Sequence, residues 1–127
     1  MQVPQAYKYT KTHEWAKFAN GEVLVGITAH AQEELRDVVY VELPQLGKVV
    51  KQGEPAAVIE SVKAAFDIYA PVSGTITRVN AALQKSPQLV NQDCYGEGWM
   101  FALTPANARE LDQLLTADAY HTLMQTE

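Results

Sequence analysis

The chain has 127 residues and a mass of 14.0 kDa, which is the size of one ordinary domain. Hydrophobic residues make up 47% of it and charged residues 20%, which indicates a globular protein and excludes disorder of the whole chain. The net charge is −5, no run of Lys or Arg occurs, and no apolar stretch approaches the ~18 residues that span a bilayer, so neither nucleic-acid binding nor a membrane location is expected.

Short runs rich in β-branched and aromatic residues alternate with turn signals along the chain. This spacing predicts a mainly β fold, either a small barrel or a sandwich. The strongest turn signal is Asn20-Gly21, because both residues tolerate a positive φ, and it predicts a two-residue hairpin loop. The predicted strands cover residues 23–25, 38–41, 57–59, 66–69, 75–79 and 99–103.

Short helices are predicted at two places. Thr28 can cap a helix over residues 29–35. The C-terminal segment, about residues 106–124, is expected to be helical, with Thr104-Pro105 and Asn107 as alternative starts and a last helix capped by Asp118. Three leucines of this segment fall on one face and are expected to face the core: Leu111, Leu114 and Leu115.

A weak internal repeat relates the two halves of the chain. The run VKQG at residues 50–53 resembles the run VNQD at residues 90–93, and each follows an apolar segment and a loop. The repeat predicts two pseudo-symmetric sheets, with a midpoint close to Lys63.

Lys63 lies at the tip of a predicted hairpin over about residues 57–69. Lysine is uncommon in tight turns compared with Gly, Asn or Asp, so its position needs an explanation. The small side chains of Ala64 and Ala65 leave its amine open to a large partner. Two interpretations follow from these residues: an ordinary solvated lysine, or the attachment point of a swinging arm that starts from a rigid base.

Five short motifs together resemble the H proteins of the glycine cleavage system over roughly the whole chain. They are THEW at residues 12–15, VGIT at 25–28, ESVKA at 60–64, DIYAPVSG at 67–74 and YGEGW at 95–99. The resemblance implies a barrel-sandwich hybrid of the lipoyl and biotinyl carrier type with a few short helices, in a single domain over residues 1–127. It also implies lipoic acid as the cofactor, in amide linkage to Lys63.

The resemblance further implies a carrier rather than an enzyme. The lipoyl arm of such a protein accepts the aminomethyl group of glycine on the PLP-dependent glycine decarboxylase (P protein) and offers it to the folate-dependent aminomethyltransferase (T protein). Dihydrolipoyl dehydrogenase (L protein) then reoxidises the arm, which a lipoylating enzyme attaches beforehand. We expect a monomer. A cytoplasmic location is also expected, because Cys94 is the only cysteine and cannot form an internal disulfide, which indicates a reducing compartment.

Further residues match positions that have a role in that family. Glu14 and Asp67 match residues of the cleft for the loaded arm, and Thr12 stands where another small hydroxyl residue is common. Carboxylates suit such a cleft because they hold a protonated amine by charge-assisted hydrogen bonds. Glu60 and Ser61 precede the lysine and are expected to help the lipoylating enzyme recognise it.

Three residues depart from the family pattern. Arg36 stands where glycine usually follows the first helix, and it is strained if the backbone there has a positive φ. Phe66 replaces a small polar residue, and it points inward if it shares a face with Ile68. Cys94 replaces a proline and is expected to be a packing residue or an incidental thiol.

Other functions compete with this one. A biotin carrier would place methionines beside the lysine, where Val62 and Ala64 stand. The lipoyl domains of 2-oxoacid dehydrogenases usually sit in long chains with Ala/Pro-rich linkers, which this chain lacks. A lipoate-relay protein stays open as an alternative, whereas a Schiff-base enzyme would need a buried lysine. The histidines show no metal-ligand spacing, so no metal is expected.

Overall fold

Two β-sheets form the framework of the structure, a computed structural model that describes residues 3–125. The strands are β1 (Lys8–Tyr9), β2 (Glu14–Ala19), β3 (Glu22–Ile27), β4 (Val38–Glu42), β5 (Val49–Val50), β6 (Pro55–Ser61), β7 (Ala65–Tyr69), β8 (Gly74–Val79) and β9 (Phe101–Pro105). The larger sheet has the order β1-β2-β3-β9-β8-β5 and the smaller one β4-β6-β7. The predicted mainly β fold is confirmed, and over residues 3–125 the two sheets stay open rather than closing into one barrel.

The predicted hairpin at Asn20-Gly21 joins β2 to β3. Its two loop residues have positive φ angles of 55° and 79°, as a tight loop with the hand of the strand twist requires. Farther along β3, Gly26 is paired with Trp15 of β2, and a Cβ on Gly26 would stand 2.6 Å from the Trp15 ring. This hairpin therefore needs two glycines: Gly21 for its positive φ, and Gly26 because a side chain there would clash with the Trp15 ring.

The predicted hairpin around Lys63 is formed by β6 and β7, and it begins at Pro55, two residues before the predicted start. Ile59 is paired with Phe66, so these residues share one face of the smaller sheet. Ile59 and Ile68 are buried, and Phe66 is half-buried against the same core. The inward orientation predicted for Phe66 is confirmed.

Short helices follow or connect the strands. They are α1 (Ala29–Leu35), α2 (Ala82–Lys85), α3 (Leu89–Gln92), a 3-10 helix (Ala108–Gln113) and α4 (Ala117–Gln125). Thr28 caps α1 as predicted, because its hydroxyl accepts a hydrogen bond from the Ala31 N–H at 3.3 Å. The cap predicted at Asp118 is wrong: Asp118 lies inside the first turn of α4, and the Thr116 hydroxyl accepts from the Ala119 N–H at 3.1 Å.

The leucines of the C-terminal segment divide between two apolar clusters. The larger cluster fills the space between the sheets, and Leu111 and Leu114 pack in it. Leu115 instead joins a second cluster, in which the rings of Tyr9 and Tyr120 stack with centroids 4.8 Å apart. The prediction of one leucine face is wrong because the 3-10 helix ends before Leu114, so the three side chains do not follow one helical period.

Cys94 belongs to the interior, as predicted. Its side chain is buried, and its carbonyl oxygen accepts a hydrogen bond from Trp15 Nε1 at 2.8 Å. Burial raises the pKa of the Cys94 thiol to about 11, so this cysteine is a weak nucleophile at neutral pH.

The two runs of the predicted repeat adopt different structures. Residues 50–53 leave β5 through a turn in which Gly53 has a φ of 86°, whereas residues 90–92 lie in α3. Pro87 stands just before α3, and its restricted φ suits the start of a helix. The sheets also differ in strand number, so the predicted pseudo-symmetric pair of sheets is wrong.

Across residues 3–125, no helix combines the length and the apolar character that a membrane span needs. The same residues contain no group of three or more His, Cys, Asp or Glu side chains placed to hold a metal ion.

Candidate functional site

Lys63 lies at the exposed tip of the β6–β7 hairpin, and the side chain of Ser61 shapes that tip. Ser61 Oγ accepts hydrogen bonds from the backbone N–H groups of Lys63, at 3.1 Å, and Ala64, at 3.3 Å. It also donates to the Ala64 carbonyl oxygen at 3.2 Å, which accepts from the Ser61 backbone N–H at 2.9 Å as well. These bonds order a loop that contains no glycine.

The tip also contacts the last turn of α1 and the segment that follows it. The Val62 N–H donates to the Asp37 carbonyl oxygen at 3.0 Å, and Lys63 Nζ donates to the Glu34 carbonyl oxygen at 3.4 Å. Within residues 3–125, Lys63 Nζ forms no ion pair. The amine is exposed and lines a cavity of about 290 Å³. An accessible amine on an ordered loop fits the covalent arm that the sequence predicts.

Glu14 is almost fully buried, with 1% of its surface exposed, and both of its carboxylate oxygens accept hydrogen bonds. Oε1 accepts from the hydroxyls of Thr10 and Thr12, each at 2.5 Å. Oε2 accepts from the backbone N–H of Tyr69 at 3.3 Å. Burial raises the pKa of Glu14 above its ordinary value of 4.5, and these hydrogen bonds offset part of the rise because they stabilise the charged form.

Two neighbouring cavities divide the residues predicted to form the arm cleft. Glu14 lines a cavity of about 250 Å³ between the N-terminal segment and the end of β7. Asp67 is exposed and lines a second cavity of about 200 Å³ beside α1, together with Phe66. Thr12 lines both cavities. Thr12 therefore lines the cavity of each carboxylate, but the structure does not place Glu14 and Asp67 in one cavity.

Glu60 lies on the outer side of the hairpin, one residue before Ser61. It is exposed and paired with Ala65 on β7. Val62, on the other side of Ser61, is 67% exposed. Glu60 and Val62, on either side of Ser61, are thus both open to solvent, and the recognition role predicted for Glu60 and Ser61 stays a prediction.

Some residues that shape the site were not predicted. Thr10 donates to Glu14 across a turn in which the His13 N–H donates to the Thr10 carbonyl oxygen at 3.2 Å and His13 has a φ of 71°, so strand alternation gave no signal for this contact. Asn91 was also missed: its side chain accepts from the Val38 N–H at 2.9 Å and donates to the Arg36 carbonyl oxygen at 2.8 Å. A separation of 53 residues between Asn91 and Val38 leaves no local signal for that contact.

The comparisons with known proteins agree with this geometry. Residues 7–127 match the family described as glycine cleavage H-protein. The chain is 58% identical over 127 residues to a glycine cleavage system H protein from Thermus thermophilus, covering 100% of this chain and 99% of that protein. It is 51% identical to an H protein from Stenotrophomonas maltophilia, covering 99% of this chain and 97% of that protein.

The fold agrees as well. The crystal structure of a glycine cleavage system H protein from Mycobacterium marinum matches it with a TM-score of 0.89 and 39% identity, covering 97% of this chain and 99% of that chain. Because the family match, the relatives and the solved structure all extend over nearly the whole chain, this protein belongs to the glycine cleavage H-protein family, and its membership supports a lipoyl-carrier role in the glycine cleavage system.

Proposed function

We propose that this protein carries lipoate in amide linkage on Lys63 and has no catalytic activity of its own. In this role it moves the aminomethyl group of glycine from the PLP-dependent decarboxylase to the folate-dependent aminomethyltransferase, and dihydrolipoyl dehydrogenase then reoxidises the arm. The observation that carries the proposal is the position of Lys63. Its amine is exposed on a tip that Ser61 orders through several hydrogen bonds.

A rigid start for a long arm is what a carrier needs. Bound lipoate would supply two sulfur atoms that take up and release the transferred group. The chain supplies the anchor: a lysine extended by a fatty-acid-sized group reaches on the order of a dozen Å, since each bond adds about 1.5 Å. An ordered tip keeps that reach predictable, so one arm can serve several enzymes.

The carboxylates of Glu14 and Asp67 are candidates for binding the protonated amine of the loaded arm. A protonated primary amine is held best by charge-assisted hydrogen bonds in a place with little water. Glu14 in its cavity and Asp67 in the neighbouring one each offer such an acceptor, with Thr12 beside both. We therefore keep all of them as candidate residues for the loaded arm, with Glu14 in the more desolvated position.

The proposal predicts where modification occurs. After incubation with a lipoylating enzyme, lipoate and ATP, the intact mass should show one lipoyl group on the wild-type protein and none on Lys63→Arg. Arginine keeps the positive charge but lacks the amine nucleophile. Lys51→Arg is the matched control, because Lys51 is also an exposed lysine in a turn. It should be modified like the wild type.

Activity separates a carrier from an enzyme. The protein alone should not decarboxylate glycine, because the reaction needs an electron sink of the kind that PLP provides. With the decarboxylase added, exchange of bicarbonate into glycine should require the lipoylated form. Lipoylation at Lys51, or exchange at an equal rate with unmodified Lys63→Ala protein, would overturn the proposal.

A further inference from the structure

Arg36 has a strained backbone at the end of α1. Its φ of 67° and ψ of −151° fall in a region that is essentially restricted to glycine. Hydrogen bonds hold it there on both sides: its N–H donates to the Gln32 carbonyl oxygen at 3.2 Å, and its carbonyl oxygen accepts from Asn91 Nδ2 at 2.8 Å. Glycine would adopt this conformation without a steric penalty. An arginine at this position therefore costs stability and adds a side chain.

In the part of the chain that the structure describes, the guanidinium of Arg36 forms no ion pair and no hydrogen bond. Within residues 3–125, no carboxylate lies within 4.0 Å of it, although Glu33 and Glu34 line the same cavity. Arg36 is exposed, and the hydrogen bonds that its backbone makes do not involve the side chain. Its five N–H donors are thus available to an external anion.

Arg36 and Lys63 line one cavity of about 290 Å³. An enzyme that acylates Lys63 must bring the carbonyl carbon of its acyl donor within bonding distance of Nζ, so it must cover this cavity. Enzymes that act on the far end of a lipoyl arm meet their target on the order of a dozen Å away. Among the partners of a carrier lysine, the acylating enzyme is therefore the one that Arg36 is placed to meet.

We propose that Arg36 is a recognition residue for the enzyme that attaches lipoate to Lys63, through an anionic group that this enzyme presents beside the amine. The inference rests on the proposed function. The anion is either a carboxylate of the enzyme or the phosphate of an acyl donor activated as an acyl-phosphate mixed anhydride. A guanidinium binds both carboxylates and phosphates through bidentate hydrogen bonds.

The acylation step balances without a further reactant. The Lys63 amine, once it has lost a proton to solvent, forms a bond to the acyl carbon, and its nitrogen gives up a second proton to the leaving phosphate or to solvent as the amide forms. The bond from that carbon to the phosphate oxygen breaks, and the phosphate leaves with the electron pair. If the anion is the donor's phosphate, the Arg36 guanidinium beside the amine would stabilise the negative charge on the leaving group. If the anion is a carboxylate of the enzyme, the guanidinium would instead orient the enzyme on the hairpin.

Variants of Arg36 separate its charge from its strain. Arg36→Gly removes both, Arg36→Gln removes only the charge, and Arg36→Lys keeps both. We expect kcat/KM for enzymatic lipoylation of Lys63 to fall about fivefold in the Gly and Gln variants and to stay within about twofold of wild type in the Lys variant, since about fivefold corresponds to about 1 kcal/mol. Arg109→Gln is the matched control, because Arg109 is exposed and forms no ion pair within residues 3–125.

Stability and an enzyme-free reaction complete the test. Only Arg36→Gly should raise the midpoint of urea unfolding, so a charge effect cannot be mistaken for a folding effect. Acylation of Lys63 by a small lipoyl-phosphate anhydride without enzyme, followed by peptide mass spectrometry, identifies the anion. Slower acylation of the Gly and Gln variants indicates the donor's phosphate, and an unchanged rate together with slower enzymatic lipoylation indicates a carboxylate of the enzyme.

Two results would overturn this inference and leave the proposed function intact. One is wild-type kcat/KM for lipoylation of Lys63 in both Arg36→Gly and Arg36→Gln. The other is a loss in Arg36→Lys as large as that in Arg36→Gln. Lipoylation away from Lys63 would instead overturn the proposed function itself.

Discussion

The β2–β3 and β6–β7 hairpins reverse the chain by different means. The first uses Asn20-Gly21, two residues with positive φ, and its two loop residues carry no amine side chain. The loop of the second, residues 62–64, has no positive φ, and the Ser61 hydroxyl supplies hydrogen bonds that orient it. The difference teaches that the residues of one loop serve the backbone, whereas those of the other present Lys63.

The open ends of the two hairpins meet at Glu14. This residue begins β2, and its carboxylate accepts a hydrogen bond from the N–H of Tyr69, the last residue of β7. The buried carboxylate of Glu14 thus joins the β2–β3 hairpin to the β6–β7 hairpin at their open ends. If the β2–β3 hairpin serves mainly stability and the β6–β7 hairpin mainly function, substitutions in each hairpin and at Glu14 should have different effects.

The largest effect is expected in the β2–β3 hairpin. In Gly26→Ala, the new Cβ would stand 2.6 Å from the Trp15 ring, which is held by its hydrogen bond to the Cys94 carbonyl oxygen. We expect the free energy of unfolding in urea to fall by about 3 kcal/mol. Lipoylation of the folded fraction at Lys63 should be unchanged.

Gly21→Ala is the control for this change. No atom lies within 4 Å of the Cβ position at Gly21, so only the backbone angle of 79° opposes alanine. The expected loss is about 1 kcal/mol. Equal losses in the two variants would show that the ring of Trp15 does not set the cost at Gly26.

The next effect concerns the junction. If Glu14 holds the ammonium of the loaded arm, Glu14→Ala should speed ammonia release from loaded protein about tenfold, because a partly desolvated charge-assisted hydrogen bond is worth about 1.5–3 kcal/mol and tenfold needs about 1.4. Release is measured without the aminomethyltransferase. Glu97→Ala, which removes an exposed acid elsewhere, is the control.

Asp67→Ala tells the two cavities apart. A faster release in Asp67→Ala alone would assign the ammonium to the cavity beside α1, whereas a faster release in Glu14→Ala alone would assign it to the cavity of Glu14. Wild-type rates in both variants would contradict the protective role of either carboxylate.

A smaller effect on stability is expected at the lysine-bearing tip. In Ser61→Ala, the exposed N–H groups of Lys63 and Ala64 can turn to water, so the free energy of unfolding should fall by no more than about 0.5 kcal/mol. The KM for lipoylation should nevertheless rise several-fold, because the loop loses its order. Ser61→Thr keeps the hydroxyl and should restore the KM. An unchanged KM in Ser61→Ala would contradict the orienting role of Ser61.

The smallest effect is a dependence on pH. Because the pKa of Glu14 is raised in the folded state, its protonated form stabilises the fold below the pKa of an unfolded glutamate, and that stability is lost as pH rises through the folded pKa. Relative to Glu14→Gln, the wild type should therefore lose stability as pH rises from about 4 towards neutrality. Urea unfolding across this range measures the difference, and parallel curves would show that hydrogen bonds cancel the effect of burial.

Much of the fold, including the hairpin that carries Lys63, follows from local sequence. Asn20-Gly21 requires a tight hairpin because of its backbone angles, and Thr28 caps α1 through a neighbour three residues away. The motif around Lys63 is likewise local, since Ser61 and Ala64 close the loop that contains it. Such features depend on residues a few positions apart, so sequence alone could predict them.

Other features depend on contacts between distant segments, and only the tertiary structure decided them. Glu14 becomes buried when Tyr69, 55 residues away, donates to it, and the separation of its cavity from that of Asp67 depends on how β7 packs. The strain at Arg36 persists because Asn91 holds the backbone on its far side. The sequence by itself predicted Lys63 as the attachment point of an arm, and long-range hydrogen bonding and burial decided what surrounds that lysine, because desolvation and clamping arise only once the sheets have packed.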